Sequence, residues 1–130
     1  MTNELLPRRV TSVLVEESRN SVTVTWGLGD PVAAPDVEYF GYGVYYYGLD
    51  GNGGKRFGVR FQDEITAHVF DNASATQANY HGSAVTVTDE SIIVRYRDAD
   101  LGLVGVGTIR AFSHVNGHDQ QVEIPVTLMR

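Results

Sequence analysis

The chain contains no cysteine, which excludes disulfide staples and thiol chemistry and fits a reducing compartment. It also lacks any stretch in which apolar residues keep a helical period for three turns, so nothing in it reads as a long helix. No apolar run approaches the roughly 20 residues that span a bilayer. The opening residues MTNELLPRR have none of the apolar core of a signal peptide. The expectation is a cytoplasmic protein without membrane contact. Basic residues are scarce: 10 Lys and Arg stand against 16 Asp and Glu, a net charge of −6. The acids are scattered, with runs no longer than pairs such as Glu16–Glu17 and Asp63–Glu64. Such a balance argues against a large phosphate-binding surface, and no nucleic acid partner is expected. Gly-x-Ser-x-Gly elbows, phosphate loops and dinucleotide fingerprints are missing as well. The chain therefore reads as a non-enzyme that uses no cofactor.

What is abundant is glycine and tyrosine, and both concentrate in one stretch. Residues 38–48 (EYFGYGVYYYG) hold five of the seven tyrosines. Aromatic and β-branched residues favour a pleated backbone, and the run is too rich in glycine for a helix. Side chains alternate across a strand, so Phe40, Tyr42, Val44 and Tyr46 share one face, expected to be core. Tyr39, Gly41, Gly43, Tyr45 and Tyr47 share the other, expected to be more open. After a glycine-rich tip, residues 55–62 (KRFGVRFQ) return with Phe57, Val59 and Phe61 on one face and Arg56 and Arg60 on the other. For the two apolar faces to coincide, paired residue numbers must sum to an odd value, for example Tyr46 with Phe57. Tyr45 and Tyr47 then lie beside Arg56 and Arg60.

Other segments alternate in the same way. Residues 9–16 and 21–26 (SVTVTW) predict a hairpin across Ser18-Arg19-Asn20. Residues 27–36, with two prolines and two glycines, read as a loop. Residues 65–70 predict a strand, and 76–80 with 83–88 a hairpin across His81-Gly82. Residues 91–97 point Ile92, Val94 and Tyr96 inward. Residues 98–102 read as a loop and 104–115 as a long strand. Asn116-Gly117 is the strongest hairpin signal, leading into a last strand over 118–128, whose Pro125 belongs on a sheet edge or bulge. Nine or ten short strands in 130 residues predict one all-β domain over 1–130, a sandwich or barrel. A chain of this length buries roughly two thirds of its unfolded surface and needs no metal to fold.

Three of these segments in order, SVTVTW, GYGVYYYG and TIRAFSHVNG, resemble the fibronectin type III pattern. Trp26 matches the core tryptophan that ends that family's second strand. Tyr42, Val44 and Tyr46 match the Tyr-x-Val-x-Tyr triplet of its third. Ile109, Ala111 and Asn116-Gly117 loosely match the run before its last hairpin. The resemblance implies a two-sheet antiparallel sandwich, fibronectin-III-like or immunoglobulin-like, with residues 63–90 as an inserted segment of extra strands.

The residues able to carry chemistry are few. His114 and His118 have the spacing of an HxxxH metal pair. A two-residue turn at Asn116-Gly117, however, sets Val115 opposite His118 and His114 opposite Asp119, so the imidazoles leave on opposite faces and no zinc is expected. Asp50-Gly51-Asn52-Gly53-Gly54 begins like a calcium loop, but Phe61 stands where the bidentate glutamate belongs. Asp98 and Asp100 read as a solvated surface pair. Asn72-Ala73-Ser74 fits a glycosylation sequon that carries little weight without a secretory signal. The surface that stands out is the outward side of the central hairpin: Tyr39, Tyr45 and Tyr47 with Arg56 and Arg60. Tyr and Arg are enriched at protein interfaces, and exposed aromatic rings can stack on sugars. The expected function is a non-catalytic module that binds a protein partner or a second copy of itself. The alternative is a carbohydrate- or small-ligand-binding sandwich. An accessory structural protein of a phage or virion is a more distant reading.

Overall fold

The computed structural model describes residues 6–33, 36–48, 54–101 and 106–129. Eleven strands among them form two sheets. Strands β1 (Arg8–Glu17), β2 (Ser21–Pro31), β8 (Ser91–Arg97), β7 (Val85–Val87) and β11 (Thr127–Met129) make a five-stranded sheet in the order β11-β1-β2-β8-β7. Strands β3 (Phe40–Gly48), β4 (Lys55–Phe61), β5 (Ile65–Asp71), β6 (Thr76–Tyr80), β9 (Val106–Val115) and β10 (His118–Pro125) make a six-stranded sheet in the order β10-β9-β3-β4-β5-β6. Every pairing is antiparallel except β1 with β11. The fold is an all-β two-sheet sandwich.

Alternation explains the core. Val13, Val15, Val22, Val24, Trp26, Ile92, Val94 and Tyr96 point inward from one sheet; Phe40, Tyr42, Val44, Tyr46, Phe57, Val59, Ala67 and Val69 point inward from the other, and all are buried. Each fully buried Val or Phe contributes roughly 1.5–3 kcal/mol relative to exposure. The polar tips of the large core residues are satisfied across the gap. Tyr42 Oη accepts the Arg8 N–H at 2.9 Å and donates to the Arg8 carbonyl at 3.1 Å. Tyr96 Oη donates to the Gly58 carbonyl at 2.8 Å, and Trp26 Nε1 donates a long bond of 3.4 Å to the Gly43 carbonyl. At one side the Gln121 amide stitches β10 to β1, accepting from Val10 N at 2.7 Å and donating to the Val10 carbonyl at 3.0 Å.

Several expectations need correction. In the central hairpin the pairs sum to an odd number and the apolar face is as expected, but Phe57 lies opposite Val44 and Tyr46 opposite Lys55, and Gly41 and Gly43 on the outer face are buried. Strand β2 continues through Gly27 to Pro31, where a loop is expected; register shifts between Arg8 and Val10 and between Val10 and Ser12 let the pairing carry on, with Gly27 opposite Ser12 and Pro31 opposite Arg8. Residues 76–80 and 83–88 form no hairpin. Strand β6 pairs with β5, the chain crosses the sandwich at a single 3-10 turn (Gly82–Ala84), and β7 pairs with β8 in the opposite sheet. Residues 63–90 thus lengthen both sheets. Asp98–Leu101 is one helical turn, α1, with Leu101 in the core and its carbonyl accepting from Tyr46 Oη. The last strand breaks at Val126, so that β10 edges one sheet and β11 the other. The tip over 49–53, including the calcium-like run from Asp50, lies outside the described residues, as do 104 and 105. Among the described residues no helix is long and apolar enough to cross a membrane.

Candidate functional site

The outer face of the six-stranded sheet is ordered by register into three rows. One runs Arg110–Tyr45–Arg56–Phe70–Gln77, the next Phe112–Gly43–Gly58–His68–Asn79, and the third Asp119–His114–Gly41–Arg60–Thr66. All the sequence-predicted site residues reach this face. Tyr45 stands directly opposite Arg56, while Arg60 stands opposite Gly41. Tyr39 precedes β3 and is held there by the Asn116-Gly117 turn. Asn116 Oδ1 accepts from the backbone N–H groups of Glu38 at 2.7 Å and Tyr39 at 3.2 Å, and its own N–H donates to the Tyr39 carbonyl at 2.8 Å. Tyr47 is 40% exposed and lies opposite Thr108 of β9, beyond the arginines.

The middle row holds a cross-strand glycine pair, Gly43 with Gly58, and its lack of side chains lowers the sheet surface. The backbone there is not open, contrary to the expectation from Gly41 and Gly43. A Cβ on Gly43 would come within 2.4 Å of the Phe112 ring, and one on Gly41 within 2.7 Å of the His114 imidazole. Strand β9 folds these two rings over β3 and fills the space the glycines vacate. What remains is a shallow hollow of about 220 Å³ bounded by Tyr39, Arg56, Arg60, His68, Phe112, His114 and Asp119 over the Gly43 and Gly58 floor. A second hollow of about 320 Å³ adjoins it, lined by Arg60, Thr66, His68, Gln77 and Asn79. Arg60 and His68 belong to both, so the two form one trough across the sheet.

The charges in the trough are predominantly positive. The Arg60 guanidinium lies over the Tyr39 ring at 4.9 Å, and that of Arg56 over the Phe112 ring at 5.7 Å. Such stacking orients a guanidinium while leaving its N–H edge free. Among the described residues neither head is hydrogen-bonded or paired with a carboxylate; the only ion pair there joins Arg97 and Asp100. Burial, then the charges of Arg60, His114 and Arg56, push His68 down to about 4. His114 is likewise lowered, by burial and then by Arg60, with Asp119 opposing and Arg56 adding. Both imidazoles are therefore neutral near pH 7, and the buried His114 Nδ1 has no hydrogen-bond partner among the described residues.

The remaining candidates have structural roles. His114 pairs with Asp119 and His118 with Val115, the register expected from the turn. Asp100 is no solvated carboxylate: it accepts from Tyr80 Oη and, at 2.9 Å, from Arg97 Nε. Burial pushes it up, but those two bonds and the Arg97 and Lys55 charges prevail and lower it. Among the described residues no group of three or more His, Cys, Asp or Glu is placed to hold a metal ion.

Sequence reasoning missed His68 and Phe112, and it weighed His114 only as a metal ligand and as the cross-strand partner of Asp119. The alternation of ITAHVF and RAFSHV puts them outward, but only the neighbour order β9-β3-β4-β5 brings them to one hollow. No family model matches the chain, and no curated protein or solved structure matches it either.

Proposed function

We propose that the chain is a non-catalytic interaction module that engages a partner protein, or a second copy of itself, through the outer face of its six-stranded sheet. The observation that carries this reading is the pair of guanidiniums held over aromatic rings, with no hydrogen bond or carboxylate partner among the described residues, on the wall of a trough floored by the Gly43–Gly58 pair. Oriented Arg beside Tyr is the composition of interface hot spots. A carbohydrate reading is less favoured, because the ring faces of Tyr39 and Phe112 already carry guanidiniums and a sugar would have to displace them. The sheet orders support an immunoglobulin-like reading of the sandwich. With β1, β2, β7 and β8 as A, B, D and E, and β3, β4, β5, β9 and β10 as C, C′, C″, F and G, they follow the variable-type arrangement. On that reading β6 is an extra strand at the C″ edge. On this proposal the chain is a protein-binding sandwich of the cytoplasm that binds rather than catalyses.

A photo-crosslinking amino acid at Tyr47 tests the surface, against the same group at Arg95 on the outer face of the five-stranded sheet. In cells that express the chain, discrete adducts are expected from Tyr47 and none from Arg95. An adduct of twice the chain mass identifies self-association. Adducts from Arg95 alone would assign the partner to the opposite sheet.

A further inference from the structure

Resting on the interaction face just described, we infer that the hollow over Gly43 and Gly58 is a recognition pocket for one acidic side chain of a partner protein, its carboxylate held by Arg56 and Arg60. Four observations favour this occupant. First, the shared trough has two parts, a hollow of about 220 Å³ between the two arginines and an adjoining one of about 320 Å³, a shape that divides between a side chain and its backbone. The smaller suits a single side chain, with the adjoining polar hollow along Thr66, Gln77 and Asn79 left for the chain that carries it. Second, the guanidiniums lie over the Tyr39 and Phe112 rings, and a planar guanidinium can bind a carboxylate through two parallel hydrogen bonds. Third, the charge fits a monoanion. His68 and His114 are neutral at pH 7, so two guanidiniums against the one carboxylate of Asp119 leave a single unit of positive charge. Fourth, that charge sits in a chain whose net charge is −6, so it is a local feature of this trough. A phosphodiester polymer or an extended acidic tract would meet repulsion beyond its edges, whereas one carboxylate in a neutral segment would not.

The test is a titration of the isotope-labelled full chain, followed by nuclear magnetic resonance. One blocked pentapeptide has a central glutamate among alanines, and a second has glutamine in its place. Galacturonic acid and inorganic phosphate are the competing probes. The glutamate peptide is expected to shift the side-chain signals of Arg56, Arg60 and His68 saturably, and the glutamine peptide to leave them unmoved. R60Q is expected to weaken the glutamate peptide at least about tenfold, the scale of a hydrogen bond to a charged group. R60K, which keeps the charge and loses the fork, should fall between. Both heads reach solvent, so an unchanged backbone spectrum verifies the fold of each variant. Equal shifts from both peptides, or tighter binding of galacturonic acid or phosphate, would overturn the side-chain carboxylate. No shift from any probe, together with Tyr47 crosslinks, would reject this pocket while the interaction face stands. No shift and no Tyr47 adduct would reject both.

Discussion

His68 shows how burial and neighbouring charge act on one residue. Its folded-state value near 4 lies below the ordinary 6.5. Between those two pH values the unfolded chain therefore holds a proton that the folded chain does not. The linkage is then signed: stability is complete above about pH 6.5 and declines as pH falls toward 4, by at most about 3 kcal/mol from this group. His114, lowered for the same reasons and facing Arg60, Arg56 and Asp119, contributes in the same direction. Urea unfolding of the parent should give a lower midpoint at pH 4.5 than at pH 7. His68→Gln should narrow that difference, and equal pH dependence in the two proteins would show that the imidazole is freely solvated. Neighbouring glycines differ as sharply. A Cβ at Gly58 would stand 2.4 Å from the Tyr42 carbonyl oxygen, part of the backbone, whereas one at Gly43 would meet the Phe112 ring, which can swing toward solvent. Gly58→Ala is expected to cost about 2–3 kcal/mol, in the range of overpacked cores, and Gly43→Ala clearly less. Denaturant midpoints in the reverse order would mean that strands β3 and β4 separate more easily than their ladder implies.

At the scale of the element, alternation made most strands legible. The inward sets Val22, Val24, Trp26 and Phe40, Tyr42, Val44, Tyr46 are all buried, because a half-buried strand has a period of two and apolar residues follow it. What alternation leaves open is where a strand ends and which sheet it joins. Gly27 and Pro31 look like breakers, yet β2 keeps pairing because one bulge in β2 and one in β1 absorb the misfit. Val85–Val87 alternates well enough for a hairpin with β6, but a turn at Gly82 carries it to the other layer. The candidate site divided the same way. Tyr45 beside Arg56 follows from local parity, whereas Phe112 and His114 reach the glycine rows only because β9 lies next to β3, a long-range pairing that no local pattern encodes. The turn at Asn116-Gly117 was readable as a turn. That its side chain also captures Glu38 and Tyr39, 77 residues or more away in sequence, is a property of the assembled sandwich.

Across the whole molecule, the two layers are tied by polar bonds as well as by apolar contact. Tyr42 reaches β1, Tyr96 reaches β4 and Trp26 reaches β3. Two of these ties end on the glycine pair that floors the trough: the Gly58 carbonyl takes the Tyr96 hydroxyl, and the Gly43 carbonyl takes the Trp26 indole. The outer face and the centre of the sandwich thus share two backbone groups. Trp26 is the chain's single tryptophan and is fully buried, so the protein carries a built-in optical probe one hydrogen bond beneath its proposed binding surface. A partner that settles on the trough and shifts the Gly43 peptide would stretch or tighten a bond that is already long, and the indole emission should change in wavelength or intensity without any added label. Following that emission while the glutamate peptide is titrated in, with Trp26 left intact and Arg60→Gln as the control, would turn a core residue that serves stability into the readout of an event on the surface.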